Sequence, residues 1–102
     1  MLAGVGQFYI DFEDGRVATR DQLAEAGVVR SEVEKPPRPW HPVGPSDAST
    51  MWYAVMRKET RGVFIGTMCI RHTERQAELE RQGWEEVPVE AIGLAAARGA
   101  DG

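Results

Sequence analysis

The residues that could do chemistry in this chain are few and lie far apart in the sequence. Cys69 and His72 are the pair closest to a nucleophile and its base. Nucleophilic catalysis normally also needs a third group that orients the histidine, and the sequence shows none. A buried free cysteine that packs as a small hydrophobe is the better interpretation. A small enzyme using Cys69 or a histidine is therefore only a third hypothesis.

Motifs for metals and cofactors are equally sparse. His41 and His72 lie in different segments, without the dense ligand spacing of a metal site. Ser46-Asp47 lacks the nucleophile elbow and suits a turn or a cap. Gly4-Val5-Gly6 lacks the further glycine of a dinucleotide-binding loop. We therefore predict no catalytic residues, no metal site and no cofactor, and we do not expect an enzyme.

Basic residues concentrate around the second predicted hairpin. They are Arg57, Lys58, Arg61, Arg71 and Arg75, with Trp52 and Tyr53 beside them. Such a cluster could contact a phosphate backbone and stack bases. We favour a solvated strand end that neighbouring glutamates neutralise, because the chain has a net charge of −4. Nucleic acid is not the expected partner, but Arg57, Lys58 and Arg61 are kept as an alternative contact surface.

A proline-rich segment, residues 35–50, is called the arm here. Its prolines remove backbone donors and fix φ, which excludes a helix or a central strand and favours an extended conformation. Trp40 lies between Pro39 and Pro42, and aromatic residues dominate interaction hot spots. Two interpretations stay open: Trp40 contacts a partner, or it folds back onto its own core. The residues predicted to bind a partner are Pro37, Arg38, Pro39, Trp40, His41 and Pro42.

The elements on the two sides of the arm follow the same order. Thr19 with Gln22, and Thr73 with Gln76, predict capping boxes, each of which opens a short helix that ends at a glycine. Each helix follows a predicted hairpin and precedes a short predicted strand. We therefore predict an α+β fold in a single domain, with mainly antiparallel sheet and two ββαβ halves joined by the arm. Two explanations of this similarity stay open: a true structural repeat, or coincidence, because threonine caps and glycine ends are common in unrelated helices.

The predicted bounds are residues 1–34 for the first half, 35–50 for the arm, 51–90 for the second half and 91–102 for a flexible tail. Strands are predicted at 7–12, 17–18, 28–33, 51–57, 63–70 and 84–89. The predicted core consists of Phe8, Ile10, Phe12, Val29, Trp52, Ala54, Val55, Phe64, Ile65, Met68, Ile70, Leu79 and Trp84.

Length and composition limit the class of protein. A chain of 102 residues with 42% hydrophobic residues suits one globular domain. No apolar run approaches the roughly 20 residues of a membrane span, and the start lacks the pattern of a secretory signal. The single cysteine excludes an internal disulfide. Ten arginines against two lysines, with no asparagine, suggest a GC-rich coding genome.

The passage LERQGWEEV, residues 79–87, resembles small proteins encoded by actinobacteriophages, as do the composition and the two capped helices. The resemblance implies a phage protein and assigns no functional residues. We expect a non-enzymatic interaction protein, a virion accessory component of the capsid or head-tail region, whose arm contacts neighbouring protein subunits. It would be an oligomer or part of an assembly, in the virion or the host cytoplasm. The alternative is a small cytoplasmic inhibitor or regulator of a host enzyme or of nucleic-acid machinery.

Overall fold

The structure is a computed structural model that describes residues 7–31, 33–46 and 51–94. The strands are β1 (Gln7–Asp11), β2 (Val17–Thr19), β3 (Trp40–Pro45), β4 (Tyr53–Thr60), β5 (Val63–Ile70) and β6 (Glu85–Val87). The helices are α1 (Arg20–Glu25) and α2 (Glu74–Arg81), and a 3₁₀ turn follows at Val89–Ala91. No helix among these residues is long and apolar enough to cross a membrane.

The strands form two antiparallel sheets with the same strand order. The first sheet has the order β2-β1-β3 and the second has the order β5-β4-β6. In each half the first strand is central, and the second and third strands flank it. The predicted α+β fold in a single domain with two ββαβ halves is therefore confirmed, although the last strand of the first half lies in the arm. We call residues 7–45 and 53–87 the first and second modules.

The two sheets pack against each other, and a helix covers the outer face of each. Phe8 and Ile10 of β1 meet Val55, Phe64 and Val87 of the second sheet in one buried cluster. Since side chains alternate along a strand, the neighbouring Tyr9 and Ala18 point the other way and pack with Leu23 of α1. In the second module, Ala54, Met56 and Cys69 pack with Leu79 of α2 in the same manner. The order of layers is helix, sheet, sheet, helix.

The helix signals in the sequence give one complete capping box and one partial box. Thr19 Oγ1 accepts a hydrogen bond from the Gln22 N–H at 3.1 Å, and Gln22 Oε1 accepts one from the Thr19 N–H at 2.9 Å. Thr73 Oγ1 accepts from the Gln76 N–H at 3.4 Å. The Gln76 side chain, however, accepts from the His72 N–H at 2.7 Å. The second box therefore lacks its reciprocal bond, because Gln76 reaches one residue further back.

The glycines at the helix ends behave as predicted. Gly27 and Gly83 have φ values of 81° and 99°, the left-handed conformation that closes a helix at low steric cost. Gly15, in the first hairpin, also has a positive φ of 80°.

The prediction of a strand at residues 28–33 is wrong. Residues 28–31 and 33 contain no strand, because the chain stays wrapped around the end of α1. The N–H groups of Val28 and Val29 both donate to the carbonyl of Leu23, at 2.9 and 3.4 Å. The third strand of the first module is β3, in the arm, which pairs with β1. It lies at a sheet edge, where Pro42 and Pro45 are tolerated.

The predicted core is partly correct. Buried members are Phe8, Ile10, Val29, Ala54, Val55, Phe64 and Leu79, and half-buried members are Phe12, Met68 and Trp84. Trp52, Ile65 and Ile70 are exposed to 66%, 44% and 50%. Trp52 precedes β4, while Ile65 and Ile70 lie on β5 at a sheet edge. The predicted tail falls mostly at residues 95–102, outside the described part of the chain.

Candidate interaction surface

Trp40 lies inside the chain's own core. Its ring is 7% exposed and packs in a cluster with Tyr9, Leu23 and Val29. The guanidinium of Arg16 lies 5.2 Å from the centre of the ring, within the range of a cation–π contact. Of the two interpretations left open by the sequence, the structure shows self-packing for this side chain.

Arg16 also neutralises the one carboxylate buried in the described residues. Asp11 is 1% exposed. Its Oδ1 accepts from the N–H groups of Glu13 and Asp14 at 2.8 and 3.2 Å. Its Oδ2 accepts from Arg16 Nε at 3.0 Å. Because both oxygens are occupied by the hairpin itself, Asp11 is a structural group that fixes the turn and orients Arg16.

The other predicted contact residues of the arm are more accessible. Pro37, Arg38, His41 and Pro42 are exposed and Pro39 is half-buried. The His41 ring lies 4.9 Å from the Phe12 ring at an interplanar angle of 31°. The Arg38 guanidinium lies 5.5 Å from the same ring. Phe12 therefore supports two exposed polar side chains of the arm, and partner binding by these residues stays a prediction.

The alternative contact hairpin contributes mostly to structure. Arg57 Nε donates to Glu85 Oε2 at 2.7 Å, and its Nη1 donates to the carbonyl of Gly15. The guanidinium also lies 5.5 Å from the Phe64 ring. Arg57 thus joins the two modules. Lys58 is half-buried and Arg61 is exposed in the turn. The predicted alternative contact surface is therefore reduced to these two residues.

Cys69 and His72 are not brought together as a catalytic pair. Cys69 is buried beneath α2, and burial raises the pKa of its thiol, although the charge of Arg75 acts in the opposite direction. The thiol is therefore protonated at neutral pH, the form that is the poorer nucleophile. His72 is exposed in the turn before α2. Among the described residues no cluster of histidine, cysteine and acidic side chains could hold a metal ion.

A group of exposed apolar side chains lies where β4 begins and β5 ends, and two of its members, Trp52 and Ile70, are predicted core residues. We call it the apolar corner: Met51, Trp52, Tyr53 and Ile70, exposed to 75%, 66%, 36% and 50%. Tyr53 pairs with Ile70 across the hairpin, and the Arg71 N–H donates to the carbonyl of Trp52 at 2.6 Å. The backbone that presents Trp52, Tyr53 and Ile70 is therefore fixed by the sheet.

A polar rim borders the apolar corner. Arg71 forms an ion pair with Glu86 and donates to the carbonyl of Tyr53 at 3.1 Å. A shallow cleft of about 390 Å³ continues from this pair. It is lined by Arg71, Glu86, Pro88, Val89 and Glu90. An apolar centre with a charged border is the usual composition of a protein-binding patch.

The misassignment of Trp52 has a recognisable cause. The run from Met51 to Met56 is apolar on both faces, so alternation could not show where the strand begins. Burial starts only at Ala54, where α2 begins to cover the sheet.

No family model, no curated protein and no solved structure matches this chain. The candidate surface is therefore judged on its own geometry and chemistry.

Proposed function

We propose that the protein is a non-enzymatic, protein-binding component of a larger assembly, and that the apolar corner is its principal contact. The observation that carries this proposal is the 66% exposure of Trp52 on a backbone held by the sheet. A large aromatic side chain on a rigid backbone loses little conformational entropy on binding. Tryptophan is also among the residues most enriched at interaction hot spots.

The arm supplies a second part of the same surface. A side chain on Gly44 of β3 would meet the Met68 side chain, which places the end of β3 beside β5. Ile70 of the apolar corner follows two residues after Met68, on the same face of the strand. Pro45 at the end of β3 is exposed. A partner that binds the apolar corner would therefore also reach the end of β3.

The partner we propose is a neighbouring protein subunit of a phage particle, in the capsid or head-tail region. The resemblance to actinobacteriophage proteins favours this setting, and the net charge of −4 favours a protein partner over nucleic acid. The complementary surface would be an apolar pocket that receives Trp52.

The test is co-expression with the structural proteins encoded beside the gene, followed by size-exclusion chromatography with light scattering and titration of any complex. Trp52→Ala should weaken the complex by about 30-fold or more, the loss expected for a hot spot of about 2 kcal/mol. Its free energy of unfolding should stay near that of the wild type, because the ring is exposed.

The matched control is Val33→Ala. Val33 is an apolar side chain exposed to 81%, outside the apolar corner, and its removal should leave binding unchanged. Equal binding by wild type and Trp52→Ala would reject the corner as the contact. Loss of binding in both variants would point to a general effect on the fold.

A further inference from the structure

The edges of the two sheets are protected unequally. An exposed edge strand can pair with another chain unless it is short, charged, interrupted by proline or bulged. β2 and β6 have only three residues each. β3 carries Pro42 and Pro45, and its pairing with β1 contains a register shift. β5 has eight residues, VFIGTMCI, with no charged residue and no proline.

The register of the β4–β5 hairpin shows which backbone groups of β5 point away from the sheet. Arg61 and Gly62 form a two-residue turn with φ values of 54° and 88°, so Thr60 and Val63 form a hydrogen-bonded pair. Hydrogen-bonded pairs alternate from there in an antiparallel ladder. The bond from the Arg71 N–H to the Trp52 carbonyl agrees with this alternation. Gly66 and Met68 therefore direct their N–H and C=O groups outward.

Contacts among the described residues close this edge at both ends and leave its middle open. The Phe64 N–H donates to the carbonyl of Phe12 at 2.9 Å, and the carbonyl of Ile70 accepts from Thr73 Oγ1 at 2.7 Å. No hydrogen bond reaches the N–H of Gly66 or Met68 from residues 7–31, 33–46 or 51–94. The open stretch is centred on Thr67.

We propose that β5 pairs with β5 of a second copy of this chain, antiparallel, about a twofold axis at Thr67. Gly66 of one copy would face Met68 of the other and exchange both backbone hydrogen bonds. The two second sheets would then form one continuous sheet. This interface goes beyond the proposed function, since it uses the edge of β5 and shares only Ile70 with the apolar corner.

The edge of β5 is complementary to itself, which favours a second copy of this chain as its partner. The twofold arrangement places no charged side chain of β5 opposite another, because the strand has none. It sets the smallest residue, Gly66, against the long side chain of Met68. It also sets Ile65, exposed to 44%, against Cys69 on the outer face of the sheet. A symmetric, isologous contact of this kind is the commonest way in which soluble proteins form dimers.

Charge reversal at the axis tests the proposal. In the twofold register Thr67 faces its own copy, so Thr67→Lys and Thr67→Glu each place like charges directly opposite, which destabilises the pair. We expect wild type to sediment as a dimer and each variant alone as a monomer. An equimolar mixture of the two variants should restore the dimer, because opposite charges then meet. Thr60→Lys and Thr60→Glu, on exposed Thr60 at the hairpin end, are matched controls and should stay dimeric.

Amide exchange of the wild-type chain tests the same interface without a substitution. The N–H groups of Gly66 and Met68 should exchange more slowly as the protein concentration rises, while that of Phe64 should change little. A wild type that is monomeric at every concentration would overturn the proposal. So would a dimer that survives both substitutions at Thr67, or protection of Gly66 that appears only when another protein is added.

Discussion

At the scale of single residues, the two central tryptophans have opposite roles. Trp40 is buried beside Tyr9 and Leu23 and lies under Arg16, whereas Trp52 is exposed. We expect Trp40→Ala to lower the free energy of unfolding by about 3–5 kcal/mol, the usual loss for truncating a buried aromatic residue. Trp52→Ala should change it by less than about 0.5 kcal/mol, as for most surface substitutions.

Urea denaturation followed by far-UV circular dichroism measures both values. The comparison separates stability from binding, because only Trp52→Ala should impair the proposed complex. A Trp40→Ala protein as stable as the wild type would contradict the packing seen here, and would return Trp40 to the set of contact residues.

Cys69 gives the fold a pH dependence. Burial raises the pKa of its thiol above the value in the unfolded chain. Between these two pKa values the unfolded thiol has lost its proton and the folded thiol has kept it, so stability falls as pH rises. The contribution is present in full below the unfolded pKa, which is about 8.5, and is lost as pH rises through the folded pKa.

The free energy of unfolding is measured for wild type and Cys69→Ala between about pH 7 and 10. This range is chosen because it spans the pKa of the thiol in the unfolded chain. The wild type should lose stability over this range more steeply than the variant. If the free energy of unfolding varied with pH in the same way for both proteins, the thiol would ionise as easily in the folded protein as in the unfolded chain.

At the scale of elements, the parts that could be predicted from the sequence are those with local causes. Thr19 and Gln22 specify the start of α1, and Gly27 and Gly83 specify the helix ends, because capping and positive φ depend on neighbouring residues alone. β5 was predicted with its observed bounds, since its uncharged residues are bordered by a glycine turn and a helix cap.

The third strand of the first module has no such local signal. The run at residues 28–33 contains three valines, yet it follows the end of α1, while the proline-containing β3 occupies the edge of β1. The choice depends on a long-range pairing that local propensity cannot rank. Trp52 was wrongly predicted in the core for the same reason, since its exposure depends on where α2 stops covering the sheet.

At the scale of the whole molecule, the two modules contact each other through the inner faces of their sheets and through hydrogen bonds outside the shared cluster. The shared cluster contains Phe8 and Ile10 from one sheet and Val55 and Phe64 from the other. Arg57 of the second module donates to the carbonyl of Gly15 in the first. The chain after β6 returns to β2, where the Gly93 N–H donates to the Val17 carbonyl at 2.7 Å. Each sheet therefore depends on the other module to bury its inner face.

This mutual dependence predicts that the modules do not fold alone. Fragments 1–48 and 49–102 would each expose one side of the shared cluster, and chains of this size bury too little surface to offset the loss. Each should show the poorly dispersed amide spectrum of an unfolded chain. An equimolar mixture should recover native dispersion, with a melting temperature that rises with concentration because folding is then bimolecular. A fragment that unfolds cooperatively by itself would contradict this prediction, because its own helix and sheet would then form a sufficient core. The face between the two sheets would in that case be a docking surface between independent units.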